Sequence, residues 1–336
     1  LILALIVTPR VGLIALWDVL IPAAPALLVF APGLWRNICP LGTVSQLPRH
    51  LGIGRRFRTS RPFRNGTAIG SVVLLLILVP ARHVGLDDSG VASAIALLLL
   101  GVMAAVAGFM FDGKSAWCAG LCPVHPVEQL YGVRPAATFI NAHCTRCVRC
   151  TPICPDSTPS MSPMTSGLTR LQRICGVIIL GGFPGFVWGW YHVPVELGPQ
   201  TLQTWAAAYA WTWGSMCISL LLFLMLHPLA SPTGRFRVQR LFAGIAVAIY
   251  YWYKLPALLG MSGGGAALLS LGDKLPGWPV WVCRFLTTTG LIAWLVASAR
   301  GFAKRSWLHR PAYAVVAGSG SHAQAEPPRA ATVVGG

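Results

Sequence analysis

Long apolar segments alternate with shorter, basic connecting segments along this chain of 336 residues. A transmembrane helix needs about 20 mostly apolar residues to cross the hydrocarbon core of a bilayer. Seven segments meet this requirement, at residues 11–34, 66–82, 91–111, 174–192, 205–227, 241–260 and 280–299. The pattern predicts an all-α, polytopic membrane protein with seven transmembrane helices.

The first of these segments is the least regular. Pro22, Pro25 and Pro32 interrupt it, and a further apolar stretch, LILALIV, precedes Pro9. Proline removes a backbone donor and bends or breaks a helix. The chain begins at Leu1 rather than at a methionine, which leaves open whether another span or a cleaved segment precedes it.

The composition agrees with this interpretation. Hydrophobic residues make up 55% of the chain and charged residues only 10%, whereas soluble domains carry about 25% charged residues. This composition excludes a disordered chain, a secreted disulfide scaffold and an ordinary cytosolic enzyme.

The charges are few but strongly biased towards the basic side, with a formal net charge of +17. On a soluble protein such an excess would suggest nucleic acid. Here 21 of the 26 Lys and Arg residues lie in segments 35–65, 112–173, 228–240 and 300–336. All four segments fall on one side of a seven-span arrangement, so the positive-inside rule predicts an outside N-terminus and a cytoplasmic C-terminus. Contact with membrane lipids explains these cations better than nucleic acid does.

Four regions follow from this topology. Residues 1–111 hold the first three spans with a basic Cys-Pro loop at 35–65, and residues 112–173 form a cytoplasmic cysteine-containing segment. Residues 174–300 hold the last four spans. Residues 301–336, which are rich in Ala, Gly, Ser and Pro, are predicted to be a disordered cytoplasmic tail.

Seven of the ten cysteines lie on the predicted cytoplasmic side. Four of them, Cys144, Cys147, Cys150 and Cys154, form the run HCTRCVRCTPICPD, which has the C-x2-C-x2-C-x3-C-P spacing of bacterial ferredoxins. A short loop with this spacing can wrap a cubane, so that three thiolates bind three irons and the fourth is directed to another cluster. Zinc remains the rival, although it usually takes two separated C-x2-C pairs. Disulfides are disfavoured in a reducing compartment.

Cys-Pro pairs occur twice more, each directly after a predicted span. WCAGLCPVHP places Cys118 three residues before the Cys122-Pro123 pair, and WRNICPLGT contains Cys39-Pro40. Proline fixes the backbone after each cysteine, which suits a tight turn around a ligand. For Cys39 alone, a turn that merely ends a helix is the alternative.

Together, these motifs resemble the membrane-bound ferredoxin-like [4Fe-4S] proteins of the NapH and NosR type over about residues 30–160. They are also similar to the FesM-type proteins of cyclic electron flow. The resemblance implies electron transfer between the quinone pool and another redox partner. The chain departs from the family in two ways: Trp35 stands where a family cysteine would be, and one ferredoxin run is present where two are common.

The number of clusters stays open at this point. Two four-cysteine clusters need eight thiolates, and the predicted cytoplasmic side offers seven. One cluster would take Cys144, Cys147 and Cys150 with one remote cysteine. In the favoured alternative, Cys154 joins Cys39, Cys118 and Cys122 in a second cluster. The first would then need another fourth ligand, such as Asp156, His125, His143 or a partner's thiolate, or would hold three irons.

Ionisable residues within the spans are candidates for a quinone or proton site. Asp18 lies in the first span, Lys254 ends the aromatic run YYWYK, and Arg284 lies near the start of the seventh span. Charged residues at membrane depth are costly and mark functional sites by default. The alternative for Lys254 and Arg284 is that they extend to the membrane surface.

Haem is not favoured by the histidines. His83, His192 and His227 fall at span ends, and no two lie mid-span on facing helices as axial ligands would.

The sequence therefore favours a membrane electron-transfer protein of the bacterial cytoplasmic (inner) membrane. It would be the electron-transfer subunit of a quinone-linked oxidoreductase, and its cluster rather than an acid–base side chain would carry the chemistry. Its basic cytoplasmic loops would dock a soluble redox carrier or partner redox subunits. The alternatives are an iron-sulfur redox sensor or oxidase assembly factor, and a zinc-stabilised transporter or scaffold.

Overall fold

The computed structural model describes residues 1–55, 57–111, 114–131, 137, 169–194, 201–261, 268 and 277–298. Within these residues, seven helices are long and apolar enough to span a membrane, which confirms the predicted number. The spans are Pro9–Phe30, Arg61–Val84, Gly90–Met110, Arg170–Tyr191, Leu202–Leu229, Gly234–Leu258 and Trp278–Ala297. Their ends differ from the predicted ends by one to seven residues.

The α-helices of the described residues are, in chain order, α1 (Ile2–Val7), α2 (Pro9–Leu13), α3 (Ile21–Phe30), α4 (Pro32–Ile38), α5 (Pro40–His50), α6 (Arg61–Leu78), α7 (Gly90–Met110), α8 (His125–Tyr131), α9 (Arg170–Tyr191), α10 (Leu202–Leu229), α11 (Pro232–Leu258) and α12 (Trp278–Ser298). Segments Ile14–Leu20 and Trp117–Leu121 are π-helices, and Pro80–Val84 is a 3-10 helix.

The first span is irregular, as its prolines predict. It passes from α2 through the π-helix Ile14–Leu20 into α3, which contains Pro25. The Tyr251 hydroxyl of α11 donates to the Pro22 carbonyl at 2.6 Å and accepts from the Ala26 amide at 2.8 Å. Pro22 and Ala26 are the pair that an uninterrupted helix would join directly. Because lipid cannot satisfy a free backbone group, Tyr251 stabilises the span where its own ladder opens.

The connection between the first two membrane-spanning segments folds back onto the end of α7. Helix α5 packs so closely there that a Cβ on Gly108 would lie 1.7 Å from the Ser45 carbonyl oxygen. The backbone amide of Phe57 donates to the Met110 carbonyl at 2.8 Å. These contacts bring the turn at Cys39, between α4 and α5, to the same end of the bundle as the end of α7.

Helices α9 and α10 pack closely against each other. The α9 residues Gly181, Gly185 and Gly189 repeat every fourth residue, the small-residue spacing that lets membrane helices approach. A Cβ on Gly185 would lie 2.0 Å from the Ser215 carbonyl oxygen. The Ser219 hydroxyl donates to the Gly181 carbonyl at 2.7 Å, so the pair is joined by packing and by a hydrogen bond.

Replacing Gly185 with alanine tests this packing. The added methyl group has no room, and overpacking costs about 1–3 kcal/mol, so we expect Gly185→Ala to melt several degrees below the wild type in detergent. Gly214→Ala on α10 is the matched control, because nothing lies within 4 Å of its Cβ position. Equal melting temperatures for the two variants would contradict the described contact.

Candidate functional site

Three of the seven predicted ligand cysteines lie together at one end of the helix bundle. Cys39 separates α4 from α5, while Cys118 and Cys122 lie within and directly after the π-helix Trp117–Leu121. This end, defined by the three cysteines, is called the cysteine end below. The other candidates, Cys144, Cys147, Cys150, Cys154, His143 and Asp156, lie outside the described residues.

The three cysteines are neighbours, with Cys122 buried and Cys39 and Cys118 half-buried. Burial raises the pKa of the Cys122 thiol well above its usual value, and the nearby Cys39 and Cys118 raise it further. Burial also raises the pKa of Cys39. The Ser45 hydroxyl oxygen lies 3.9 Å from the Cys118 sulfur, within reach of a weak hydrogen bond. All three cysteines are free of disulfides.

The described side chains do not form a ready single-ion site. No group of three or more His, Cys, Asp or Glu side chains in the described ranges is arranged to hold one metal ion. Ligands of a single zinc ion must converge on one point at about 2.0–2.3 Å. A cubane makes a different demand, because each of its four thiolates binds a different iron.

Buried charges surround the cysteines. The Arg36 Nε atom donates to the Glu128 carboxylate at 2.5 Å, and both residues are only 6% exposed. His125 Nδ1 lies 3.9 Å from the same carboxylate. Burial alone would raise the pKa of Glu128, but the charge and hydrogen bond of Arg36, together with His125, outweigh it and lower the pKa. Lys114, which acts electrostatically on Cys39, is 1% exposed.

The ion pair joins the two motifs that carry the cysteines. Arg36 stands three residues before Cys39, and Glu128 stands six residues after Cys122. Helix α8, which carries Glu128, is held in turn by α11, because the Tyr131 hydroxyl donates to the Ala243 carbonyl at 3.0 Å. The pair therefore fixes the turn after the first span relative to the turn after the third.

The sequence predicts that Arg36 and Lys114 belong to basic loops on the cytoplasmic side, and it does not indicate that their side chains are buried. The structure buries both side chains next to the cysteines. The available signal was their position: Arg36 stands three residues before Cys39 and Lys114 four residues before Cys118, each near a tryptophan. Glu128 was not singled out at all, although it is one of only nine acidic residues in the chain.

A cavity of about 270 Å³ lies inside the bundle and starts at the cysteine end. We call it the bundle cavity. Cys39 and Cys122 line it at one end, and Arg82, Trp190 and Tyr250 line it at the other. Nearly all of the remaining wall is apolar, including Leu16, Leu20, Leu28, Leu75, Leu100, Val127, Phe183, Phe186 and Val247.

The second end of the bundle cavity lies on the opposite face of the bundle. Arg82 and Asp87 precede the first residue of α7, whereas Cys118 and Cys122 follow its last residue. We call the region around Arg82, Asp87 and Trp190 the arginine end.

The three charged residues predicted to form a quinone or proton site do not form one group. Lys254 Nζ donates to the Asp18 carboxylate at 2.6 Å, which joins α11 to the π-helix of the first span. Arg284 instead donates to the Trp252 carbonyl at 3.2 Å and lies over the rings of Trp252 and Trp281. None of the three lines the bundle cavity.

Comparison with known proteins found no match for this chain among protein-family models, curated proteins or solved structures. The resemblance to membrane-bound ferredoxin-like proteins therefore stays a prediction from the cysteine motifs.

The Arg36–Glu128 pair is open to a direct test. Removing the charge of Glu128 leaves a buried guanidinium without its carboxylate, and breaking such a pair costs about 2–4 kcal/mol. We expect Glu128→Gln to lower the melting temperature clearly, as measured by thermal unfolding in detergent.

Asp88→Asn is the matched control for this substitution. Asp88 is exposed at the arginine end, so loss of its charge should leave the melting temperature nearly unchanged. If the melting temperatures of Glu128→Gln and Asp88→Asn were equal, the Arg36–Glu128 ion pair would not contribute to stability.

Proposed function

We propose that this protein passes electrons through cytoplasm-facing [4Fe-4S] clusters between a redox partner and the quinone pool. The observation that carries the proposal is the meeting of Cys39 with Cys118 and Cys122. These cysteines come from motifs about 80 residues apart, yet they are neighbours at one end of a membrane bundle, and two of them line an apolar cavity.

The charges around the cysteines suit thiolate ligands. Two buried cations, Arg36 and Lys114, and one buried carboxylate, Glu128, lie near the three sulfur atoms. Metal ligation requires deprotonated thiols, and buried negative charge is stable only when it is compensated. Burial raises the pKa of Cys39, and the charge of Lys114 acts in the opposite direction, so Lys114 would favour a thiolate there. A bound [4Fe-4S] cluster would contribute reversible one-electron transfer.

One further side chain is placed to bind a cluster. The Ser45 hydroxyl, which lies 3.9 Å from the Cys118 sulfur, instead donates its proton to the Gly42 carbonyl at 2.8 Å. His125 uses Nε2 with Gln129 at 3.0 Å, while its buried Nδ1 makes no hydrogen bond to the described residues. His125 therefore remains a candidate for a non-cysteine ligand.

The ligand partition that we propose combines these contacts with the ferredoxin spacing. Cys39, Cys118 and Cys122 would form a set of four with Cys154. Cys144, Cys147 and Cys150 would hold the other cluster with a fourth ligand of another kind. This division follows ferredoxin logic, in which the cysteine before the proline serves the neighbouring cluster.

The proposed orientation places the cysteine end at the cytoplasmic face of a bacterial inner membrane. Basic connecting segments gather on that side of the seven spans, as the positive-inside rule requires. An acidic, soluble redox carrier would be attracted there by long-range electrostatics. Electrons could then enter or leave at the surface and be exchanged with a lipid-soluble quinone inside the bundle.

Iron content tests the ligand set. Two clusters correspond to about eight irons per chain and one to about four. We expect the separate serine variants of Cys39, Cys118 and Cys122 each to lose about half the iron. All three variants should lack one and the same signal in the EPR spectrum of the reduced protein. Cys175→Ser and Cys217→Ser, in α9 and α10, are the matched controls and should keep full iron. A colourless protein that binds zinc would contradict the proposal.

Electron transfer itself is tested with Cys147→Ser. This residue stands in the ferredoxin run, so its loss should remove the visible absorbance of a cluster and abolish quinone-linked electron transfer. The variant should still insert into the membrane, because the spans do not include residue 147. Undiminished electron transfer in a variant that has lost its cluster absorbance would refute the proposed role.

A further inference from the structure

The arginine end of the bundle cavity is built around one buried guanidinium. Arg82 is only 7% exposed, and its Nε and Nη2 atoms donate to the Asp87 carboxylate at 2.8 and 2.9 Å. Its guanidinium carbon lies 4.3 Å from the ring centre of Trp17 and 4.7 Å from that of Trp190. Two indoles and a bidentate carboxylate therefore hold Arg82 in one place.

Most polar groups in this part of the cavity wall already have partners. The Trp17 indole donates to the Leu86 carbonyl and to Ser93 at 3.0 Å, and the Ser93 hydroxyl donates to the same carbonyl. The Trp190 indole donates to the Val79 carbonyl at 3.0 Å. These groups are not available to a ligand.

Two donors remain. Arg82 Nη1 and the Tyr250 hydroxyl make no hydrogen bond to any described residue, and the hydroxyl oxygen is buried. Both residues line the bundle cavity. A buried donor without an acceptor costs about 1–3 kcal/mol, and such groups in native structures call for a partner.

We propose that the bundle cavity binds a lipid-soluble quinone, with a ring carbonyl accepting hydrogen bonds from Tyr250 and Arg82 at the arginine end. The apolar tail of the quinone occupies the part of the cavity that runs towards the cysteine end. The identification of the ligand as a quinone rests on the proposed function, whereas the two free donors and the apolar wall are observed independently of it.

The charge balance of the arginine end favours a neutral, hydrogen-bond-accepting head. Asp87 neutralises Arg82, and Asp18 neutralises Lys254 nearby on α11. A phosphate head would bring negative charge to a buried guanidinium that Asp87 already neutralises, and a buried charge without a partner is costly. A quinone carbonyl brings no charge and still accepts both hydrogen bonds.

The shape of the cavity suits a chain-bearing molecule. Phe183 and Trp190 both line it and stand seven residues apart on α9, which corresponds to about 10 Å along the helix. Over this length the wall is formed by Leu, Val, Phe and other apolar side chains. An isoprenoid tail can contact these side chains in place of lipid. The tail would therefore be buried along with the ring.

Equilibrium binding of decylubiquinone to the purified full-length protein in detergent tests the proposal, with tryptophan fluorescence as the readout. Loss of one neutral hydrogen bond weakens binding about three- to tenfold, and we expect that change in Kd for Tyr250→Phe. Tyr253→Phe is the matched control on the same helix. Tyr253 does not line the cavity, and its hydroxyl already contacts His192 at 3.4 Å, so its Kd should stay at the wild-type value.

A second probe separates recognition of the ring from burial of the tail. Decylbenzene carries the same chain without carbonyl groups, so it should bind wild type more weakly than decylubiquinone and should not distinguish Tyr250→Phe from wild type. Equal affinity of Tyr250→Phe and wild type for decylubiquinone would overturn the proposal. If Tyr131→Phe weakened the binding of decylubiquinone and Tyr250→Phe did not, the ring would lie at the cysteine end, which would also overturn the proposal. A bound phospholipid that decylubiquinone cannot displace would overturn it as well.

These outcomes are separate from failure of the proposed function. Binding is measured without electron transfer, so a protein without iron that still showed the Tyr250 effect would refute the redox role and leave the ring site in place. A protein with clusters that bound decylubiquinone no differently after Tyr250→Phe would refute the ring site alone.

Discussion

The ion pair between Arg36 and Glu128 is the interaction on which the candidate site depends. It lies at the end of a membrane bundle, buried on both sides, and it joins the chain before Cys39 to the chain after Cys122. Without it, nothing in the local sequence of either Cys-Pro turn would determine the distance between them. A buried pair of this kind is costly to form from solvated charges, so its presence beside three thiols is best explained by the need to hold those turns together.

The lipid environment imposes the second constraint, which is that every backbone polar group in a span must find a partner. The first span meets it with help from α11. Tyr251 bridges the opened ladder between Pro22 and Ala26, and Lys254, three residues later, pairs with Asp18. This irregular span can therefore pass one side of the bundle cavity without exposing its backbone. The same α11 also supplies Tyr250 to the cavity wall, so one helix both repairs the broken span and presents a free donor.

The positions of the spans could be predicted closely because a membrane helix is a local property of about 20 residues. The irregular first span could be predicted for the same reason, since proline acts on its own neighbours. The burial of Arg36 and Lys114 could not be predicted. Both stand next to a Cys motif in segments that a charge count assigns only to one side of the membrane, and their burial arises from the tertiary structure, in which Arg36 pairs with Glu128 of α8. The pairing of Asp18 with Lys254, and the separate position of Arg284 beside Trp252, could not be predicted either, because both depend on which helices pack together.

The sequence by itself determined that the chain has seven helices long and apolar enough to span a membrane, since hydropathy along the chain suffices for this. It also predicts that seven cysteines share one side of those spans, and four of these cysteines lie outside the described residues. Only the tertiary structure decided which cysteines meet. It brought Cys39 to Cys118 and Cys122 across about 80 residues, and it formed an apolar cavity between them and Arg82. The physical reason is that contacts between distant segments arise from helix packing and buried ion pairs, which no local pattern records.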